Sequence, residues 1–202
     1  MPRLTISTST QAHSSVDKAA ITLGLGHAAI RHVGTTSTTS VDPLAEIAGL
    51  RDELAEELGL RIWLHVDGAY GGMAALCEEL RWVLDGAEQA ESFVTNPHKW
   101  LFTPIDCSVL YVRDPAALTR AFSLVPEYLT TADEGVTDFM DWGVQLGRRF
   151  RALKLWLVIR YFGAEGLAER IRTHIFQAHR AAAWCQGHPD FEVLAPTPMS
   201  TV

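Results

Sequence analysis

A lysine and a carboxylate each follow an apolar run: Asp67 in His65-Val66-Asp67-Gly68-Ala69-Tyr70, and Lys99 in Asn96-Pro97-His98-Lys99-Trp100. A lysine amine condenses with an aldehyde to a Schiff base, and a carboxylate keeps a pyridine nitrogen protonated. The pair is therefore what a pyridoxal phosphate site requires. Taken singly, each has a plainer explanation. A loop lysine usually solvates the surface, and an aspartate after a strand usually forms a turn or caps the next helix. The elements around them change the balance. Residues 61–66 and 92–95 read as strands, with a helical segment over 73–84 between them. A strand, helix, strand unit lays its two strands parallel, so Asp67 and Lys99 leave the same sheet edge, where open α/β sheets bind ligands.

Four motifs in order, HVDGAYGG at 65–72, NPHKW at 96–100, PIDCSVLYVR at 104–113 and LGRRFRALKLW at 146–156, resemble the group II pyridoxal phosphate-dependent decarboxylases. Within that group they are most similar to aromatic-L-amino-acid decarboxylases, and the similarity runs from Ser7 to about Val193. The resemblance implies an α/β three-layer sandwich with a mainly parallel sheet, the aspartate aminotransferase-like (fold type I) large domain, here incomplete. It implies pyridoxal 5'-phosphate tethered by Lys99, with Asp67 at the ring nitrogen. The histidine of the QAHSS motif, His13, stacks on the ring, and Thr36 of the GTT motif, Asn96 and Ala69 complete the cofactor contacts. Gly68 stands where the family usually carries alanine. Tyr128 returns a proton to the substrate carbon once carbon dioxide has left, with His98 as a possible helper. The implied reaction turns an L-amino acid, aromatic by resemblance, into its amine. Relatives with phenylalanine in place of this tyrosine tend toward aldehydes. Full-length members are homodimers.

Composition narrows the alternatives. The chain has 202 residues, 48% hydrophobic and 20% charged, which is ordinary for a globular domain. A net charge of -7 and the lack of a Lys/Arg run argue against nucleic acid as a partner. The first ten residues are polar and no apolar stretch has membrane-spanning length, which leaves no membrane partner and a cytoplasmic location as the default. Cys77, Cys107 and Cys185 are odd in number and far apart, so they read as reduced, packed thiols with no metal pair among them.

Along the chain, 7–15 reads as a polar loop and 16–23 as a helix. Gly24-Leu25-Gly26-His27-Ala28-Ala29 fits a dinucleotide-binding G-x-G-x-x-A pattern, but no strand precedes it and the acid at the right distance, Glu46, falls inside a helix. The glycines read as turn chemistry. Asp42-Pro43 starts a helix that Gly59 ends, with Leu44, Ile47, Leu54 and Leu58 on one stripe. Asn96-Pro97 stiffens the loop that carries Lys99. Residues 108–112 alternate as a strand and Asp114-Pro115 opens a helix. Residues 125–139 lack an apolar period and read as a loop. Helices are expected over 143–162, ended by Gly163 and with Leu146, Phe150, Leu153 and Leu157 on one stripe, and over 167–185. Residues 191–194 read as a strand. The domain division expected is a partial cofactor-binding large domain at 1–188 and the start of a truncated small domain at 189–202. Compared with the family pattern, the chain passes from Gly26 to Gly34 without a full crossover, so it reads as an excerpt or an internally deleted copy. The alternative to a working decarboxylase is thus a catalytically incompetent remnant that only binds or supports a partner.

Overall fold

The computed structural model describes residues 4–33, 41–123 and 137–202. Strand β1 (Ile6–Ser9), helix α1 (Ser15–Thr22) and strand β2 (Ile30–Val33) form the first unit, with β1 and β2 parallel from Ile6 opposite Ile30 to Ser9 opposite Val33. Both strands were unexpected. Their short, mostly polar sequences carry little alternation, and pairing with each other rather than burial organises them. Gly24 and Gly26 have φ of 75° and 70°, the left-handed region that glycine enters without steric cost. They join a helix to a strand, which is the reverse of the strand-to-helix turn that a dinucleotide fingerprint needs.

Helix α2 (Leu44–Leu58) ends at Gly59 in a left-handed cap, as expected. Its start differs: Pro43 holds the N-cap position and no side chain caps the helix, so Asp42 lies outside it. Only its first half packs inward. Leu44 and Ala48 are buried, whereas Leu54 and Leu58 face solvent. Gly86 explains how the helix start approaches the rest of the protein. A Cβ there would lie 2.3 Å from the Ala45 nitrogen, so only a glycine lets the loop pass this close.

The second sheet has the order β3-β4-β5, from His65–Asp67, Ser92–Thr95 and Val109–Val112. β3 and β4 are parallel, as the strand, helix, strand pattern requires, and β5 runs antiparallel to β4. β3 begins later than the apolar run at 61–66 suggests. The Leu64 amide donates to the Glu91 carboxylate at 2.6 Å, and Arg51 holds that carboxylate at 2.8 and 2.9 Å. A side chain thus takes the backbone donor at the residue before the ladder begins.

The link from β3 to β4 is not the single helix expected over 73–84. It is two 3-10 segments, Gly71–Leu76 and Glu78–Leu84, parted by the extended backbone of Cys77. Ala74, Cys77 and Val83 still face the core, where they meet Trp100, Ala168, Ile171 and Met199. The apolar stripe expected here, Leu76, Leu80, Val83 and Leu84 with Trp82 beside it, is met only in part. Val83 is buried and Leu80 and Leu84 pack against the core, whereas Leu76 and Trp82 are exposed, because two 3-10 turns present different residues inward than one α-helix would. After β4 come the four-residue helix α3 (Pro97–Trp100) and, beyond β5, α4 (Pro115–Phe122), which Asp114 caps by accepting from the Ala116 amide at 3.0 Å.

Residues 143–162 and 167–185 were expected as two helices. The structure has α5 (Arg151–Gln186), which breaks its helical dihedrals at Gly163, so the interruption stands at the expected residue while 143–150 stays outside the helix. Leu167, Ala168, Ile171, Ala178 and Ala182 of its second half are buried. The expected stripe of Leu146, Phe150, Leu153 and Leu157 is exposed. Residues 191–194 form no strand; the segment instead returns Met199 to the core beside Trp100 and Ile171. Among the described residues, no helix is long and apolar enough to cross a membrane.

Candidate active site

The parallel pairing of β3 and β4 puts the turn after Asp67 beside the turn after Thr95. The Gly68 amide donates to the Val94 carbonyl at 2.9 Å and the Asn96 amide donates to the Ala69 carbonyl at 3.1 Å, which continues the ladder past the strand ends. Two consecutive backbone bonds thus hold the Asp67 turn against the loop that leads into α3. Lys99 sits on α3, its amide donating to the Asn96 carbonyl at 2.8 Å, and its side chain is exposed. Among the described residues no hydrogen-bond or ion-pair partner occupies its amine.

A cavity of about 570 Å³ lies at this edge. Its wall includes His13, Asp67, Ala69 and Lys99, together with Ser7, Thr8 and Ser9 from β1. The volume falls in the range of roughly 300–1,000 Å³ typical of small-molecule sites. Asp67 turns one oxygen to the Ala69 amide at 2.9 Å, which anchors the carboxylate to its own turn. His13 comes from the loop between β1 and α1, where its Nδ1 accepts from the Ser15 amide at 3.2 Å and meets the Ser15 hydroxyl at 3.0 Å. The ring orientation is therefore set by the first turn of α1.

The remaining expected site residues are placed differently. His98 and Asn96 do not line the cavity. His98 Nδ1 lies 2.6 Å from the Cys107 carbonyl oxygen and 3.0 Å from the Cys107 amide nitrogen, so this nitrogen is committed to the backbone. The Asn96 Oδ1 accepts from the Ser108 hydroxyl at 2.6 Å. Thr36 and Tyr128 lie outside the described residues.

Several wall residues were not anticipated. His65 lines the cavity two residues before Asp67, and alternation along β3 would have placed both on one face. Desolvation lowers its pKa, with the Asp67 charge acting in the opposite direction, so burial favours the neutral ring. Its Nδ1 is 2.7 Å from the Ser92 hydroxyl, which also accepts from the Trp63 indole at 2.8 Å. Met199 and Tyr70 also line the cavity, and nothing local in the sequence signals that Met199 returns to it.

The donor set suits pyridoxal phosphate. It offers a lysine amine without a partner among the described residues, a carboxylate for the ring nitrogen, a flat imidazole and the hydroxyl residues of β1 along one wall. Comparison with known proteins agrees with this chemistry. Phenylacetaldehyde synthase of Petunia hybrida is 47% identical over 173 residues, covering 84% of this chain and 33% of that protein. Tryptophan decarboxylase TDC1 of Camptotheca acuminata is 43% identical over the same length and the same shares. The crystal structure of Oryza sativa TDC with PLP and tryptamine superposes with a TM-score of 0.87 at 34% identity, covering 98% of this chain and 47% of that one. The chain thus spans about a third of the length of these curated relatives, and within that span the fold is that of the fold type I decarboxylases. Residues 27–202 match the family described as the pyridoxal-dependent decarboxylase conserved domain, and the chain belongs to that family.

Proposed function

We propose that this site removes the α-carboxylate of an aromatic L-amino acid with pyridoxal phosphate, yielding the amine and carbon dioxide. The observation that carries the proposal is that Lys99, Asp67 and His13, drawn from three separate segments, line one cavity. When bound, the cofactor supplies an electron sink for the bond to the departing carboxylate. Lys99 provides its Nζ as the covalent tether. Asp67 holds a proton on the ring nitrogen through its negative charge at short range. His13 offers its imidazole face to the ring and Ala69 lines the same cavity. Thr36 is assigned a cofactor contact by the family resemblance alone, and Asn96 supports the turn from outside the cavity through its hydrogen bond to Ser108. Tyr128 donates the proton of its hydroxyl to the substrate carbon. His98, which does not line the cavity and whose Nδ1 faces the Cys107 backbone, takes no part in this proposed proton transfer.

A second outcome is suggested by the Petunia hybrida relative, whose name describes aldehyde synthesis. By the family resemblance, a tyrosine rather than a phenylalanine at position 128 argues for the amine, because a proton donor closes the reaction at the carbon before an oxidant can intervene. In the same proposal the small-molecule partner is the amino acid, and the full-length protein acts as a homodimer.

The test is to add pyridoxal phosphate to the purified chain, reduce with borohydride and locate the adduct by peptide mass. A single adduct on Lys99, lost in Lys99→Ala, is expected. Product analysis with aromatic amino acids then separates amine from aldehyde. Absence of a selective adduct would sink the proposal and favour the non-catalytic remnant.

A further inference from the structure

We propose that His174, in the second half of α5, is a positioning residue for Lys99 that acts through Trp100. The inference rests on the cofactor role proposed above for Lys99. Trp100 is the residue after Lys99 in a helix of only four residues and is 3% exposed. Its indole nitrogen can only donate, and a buried donor without an acceptor is costly. The acceptor is His174 Nδ1, at 3.1 Å.

The face of the indole is set by the Asp67 turn. Tyr70 stacks on Trp100 with ring centroids 4.6 Å apart and planes 6° from parallel. The Tyr70 hydroxyl in turn bonds the Ser200 hydroxyl. A stack fixes the spacing and tilt of two rings but leaves them free to slide and rotate in plane. The Trp100 to His174 hydrogen bond removes that freedom. Because Lys99 and Trp100 share one helical turn, fixing the indole fixes the backbone from which the amine extends. The stack thereby ties the turn that carries Asp67 to the helix that carries Lys99, and His174 locks the tie.

A second observation centres on the same histidine. Phe102 has φ of 55°, a conformation that non-glycine residues adopt only when their surroundings hold them there. Its ring lies 5.5 Å from the His174 ring and 6.0 Å from that of Phe162. The segment leaving α3 is thus also held against α5 at His174. A remote helix therefore sets both Trp100 and Phe102, on the C-terminal side of Lys99. A displacement of about 1 Å at a reacting group can cost on the order of a hundredfold in rate, so such alignment has leverage on the chemistry.

The experiment compares wild type with His174→Gln, His174→Leu, Trp100→Phe and the Trp100→Phe/His174→Leu double variant. Each full chain is mixed with pyridoxal phosphate, and two quantities are read: the rate of borohydride-trapped adduct at Lys99, and the pH midpoint of the imine absorbance. His174→Leu and Trp100→Phe are expected to slow adduct formation about tenfold and shift the midpoint, with the double variant no worse than either single one. His174→Gln, whose amide oxygen can accept from the indole, is expected to restore wild-type behaviour. Thermal unfolding is recorded in parallel, since a merely structural role would lower the melting temperature and leave both readouts unmoved in the folded range. A folded His174→Leu with wild-type rate and midpoint overturns the inference, and Trp100→Phe decides in the same way if His174→Leu does not fold. A wild-type chain without a Lys99 adduct overturns the proposed function and this inference with it, whereas unaffected variants beside a normal wild-type adduct overturn this inference alone.

Discussion

Gly68 stands between the proposed nitrogen partner Asp67 and the ring of Phe93. A Cβ at this position would lie 2.5 Å from Phe93 Cε2 and 3.2 Å from the Val94 carbonyl oxygen, so the ring uses the space that an alanine would need. Gly68→Ala is expected to destabilise the chain by about 1–3 kcal/mol through overpacking, and to recover most of that in a Phe93→Leu background. Urea denaturation of the two variants checks this, and equal losses in both backgrounds would show that Phe93 is not the obstacle. The identity of this residue was legible in the sequence, but its reason was not, because Phe93 comes from the neighbouring strand. Asp67, Lys99 and His13 were legible as candidates from residue type and motif, and the structure gathers them at one cavity. His65 and Met199 carry no local signal for the cavity, the first because its residue type fits an ordinary strand position and the second because only the returning tail brings it there.

Among the elements, α5 is joined to the 3-10 segment 78–84 by Arg172, whose guanidinium donates to both oxygens of Glu79 at 2.6 and 2.8 Å. The hydrogen bonds from Arg172 lower the Glu79 pKa from its ordinary 4.5 to about 2. Asp106, bonded by Arg151 on the first turn of α5, is likewise lowered from 3.8 to about 2. In both, the unfolded chain takes up a proton before the folded one does. Their contribution to stability is therefore complete above about pH 5 and fades as pH falls through 4.5 toward 2. Denaturation midpoints of wild type and Glu79→Gln are expected to differ at pH 7 and to converge as pH approaches about 2, with the gap narrowing in high salt because the pair is exposed. A gap independent of pH would mean that this ion pair does not join the two elements energetically. The position of these elements was partly legible: β4, β5, α4 and the break at Gly163 follow from alternation, an Asx-Pro start and a glycine. The 73–84 segment was misread as one helix because an apolar period near three to four residues does not distinguish an α-helix from two 3-10 turns.

At the scale of the whole molecule, the first half of α5 presents an apolar surface outside the core. Leu153, Trp156, Leu157 and Tyr161 on the first half of α5 are exposed, as are Val144 and Leu146 before it. Exposed apolar groups drive association, while the net charge of -7 at pH 7 opposes it between copies. As pH falls from 8 toward the isoelectric point near 5.6, sedimentation velocity is expected to show growing association, which Leu153→Glu with Leu157→Glu reverses. A monomer at every pH would exclude this surface as the cause. The sequence alone determined the chemistry on offer and the family, because lysine, aspartate and histidine advertise their reactions by type and the motifs keep their order. It determined the parallel β3-β4 pair as well, since one covalent strand, crossover, strand unit contains it. The tertiary structure decided what depends on contacts between distant segments. It decided that α5 buries its second half and exposes the stripe expected to be covered, that β1 and β2 pair, that Gly68 faces Phe93, and that Trp100 finds its acceptor on His174. Periodicity shows which side of an element is apolar; only the packing of separate segments shows what that side meets.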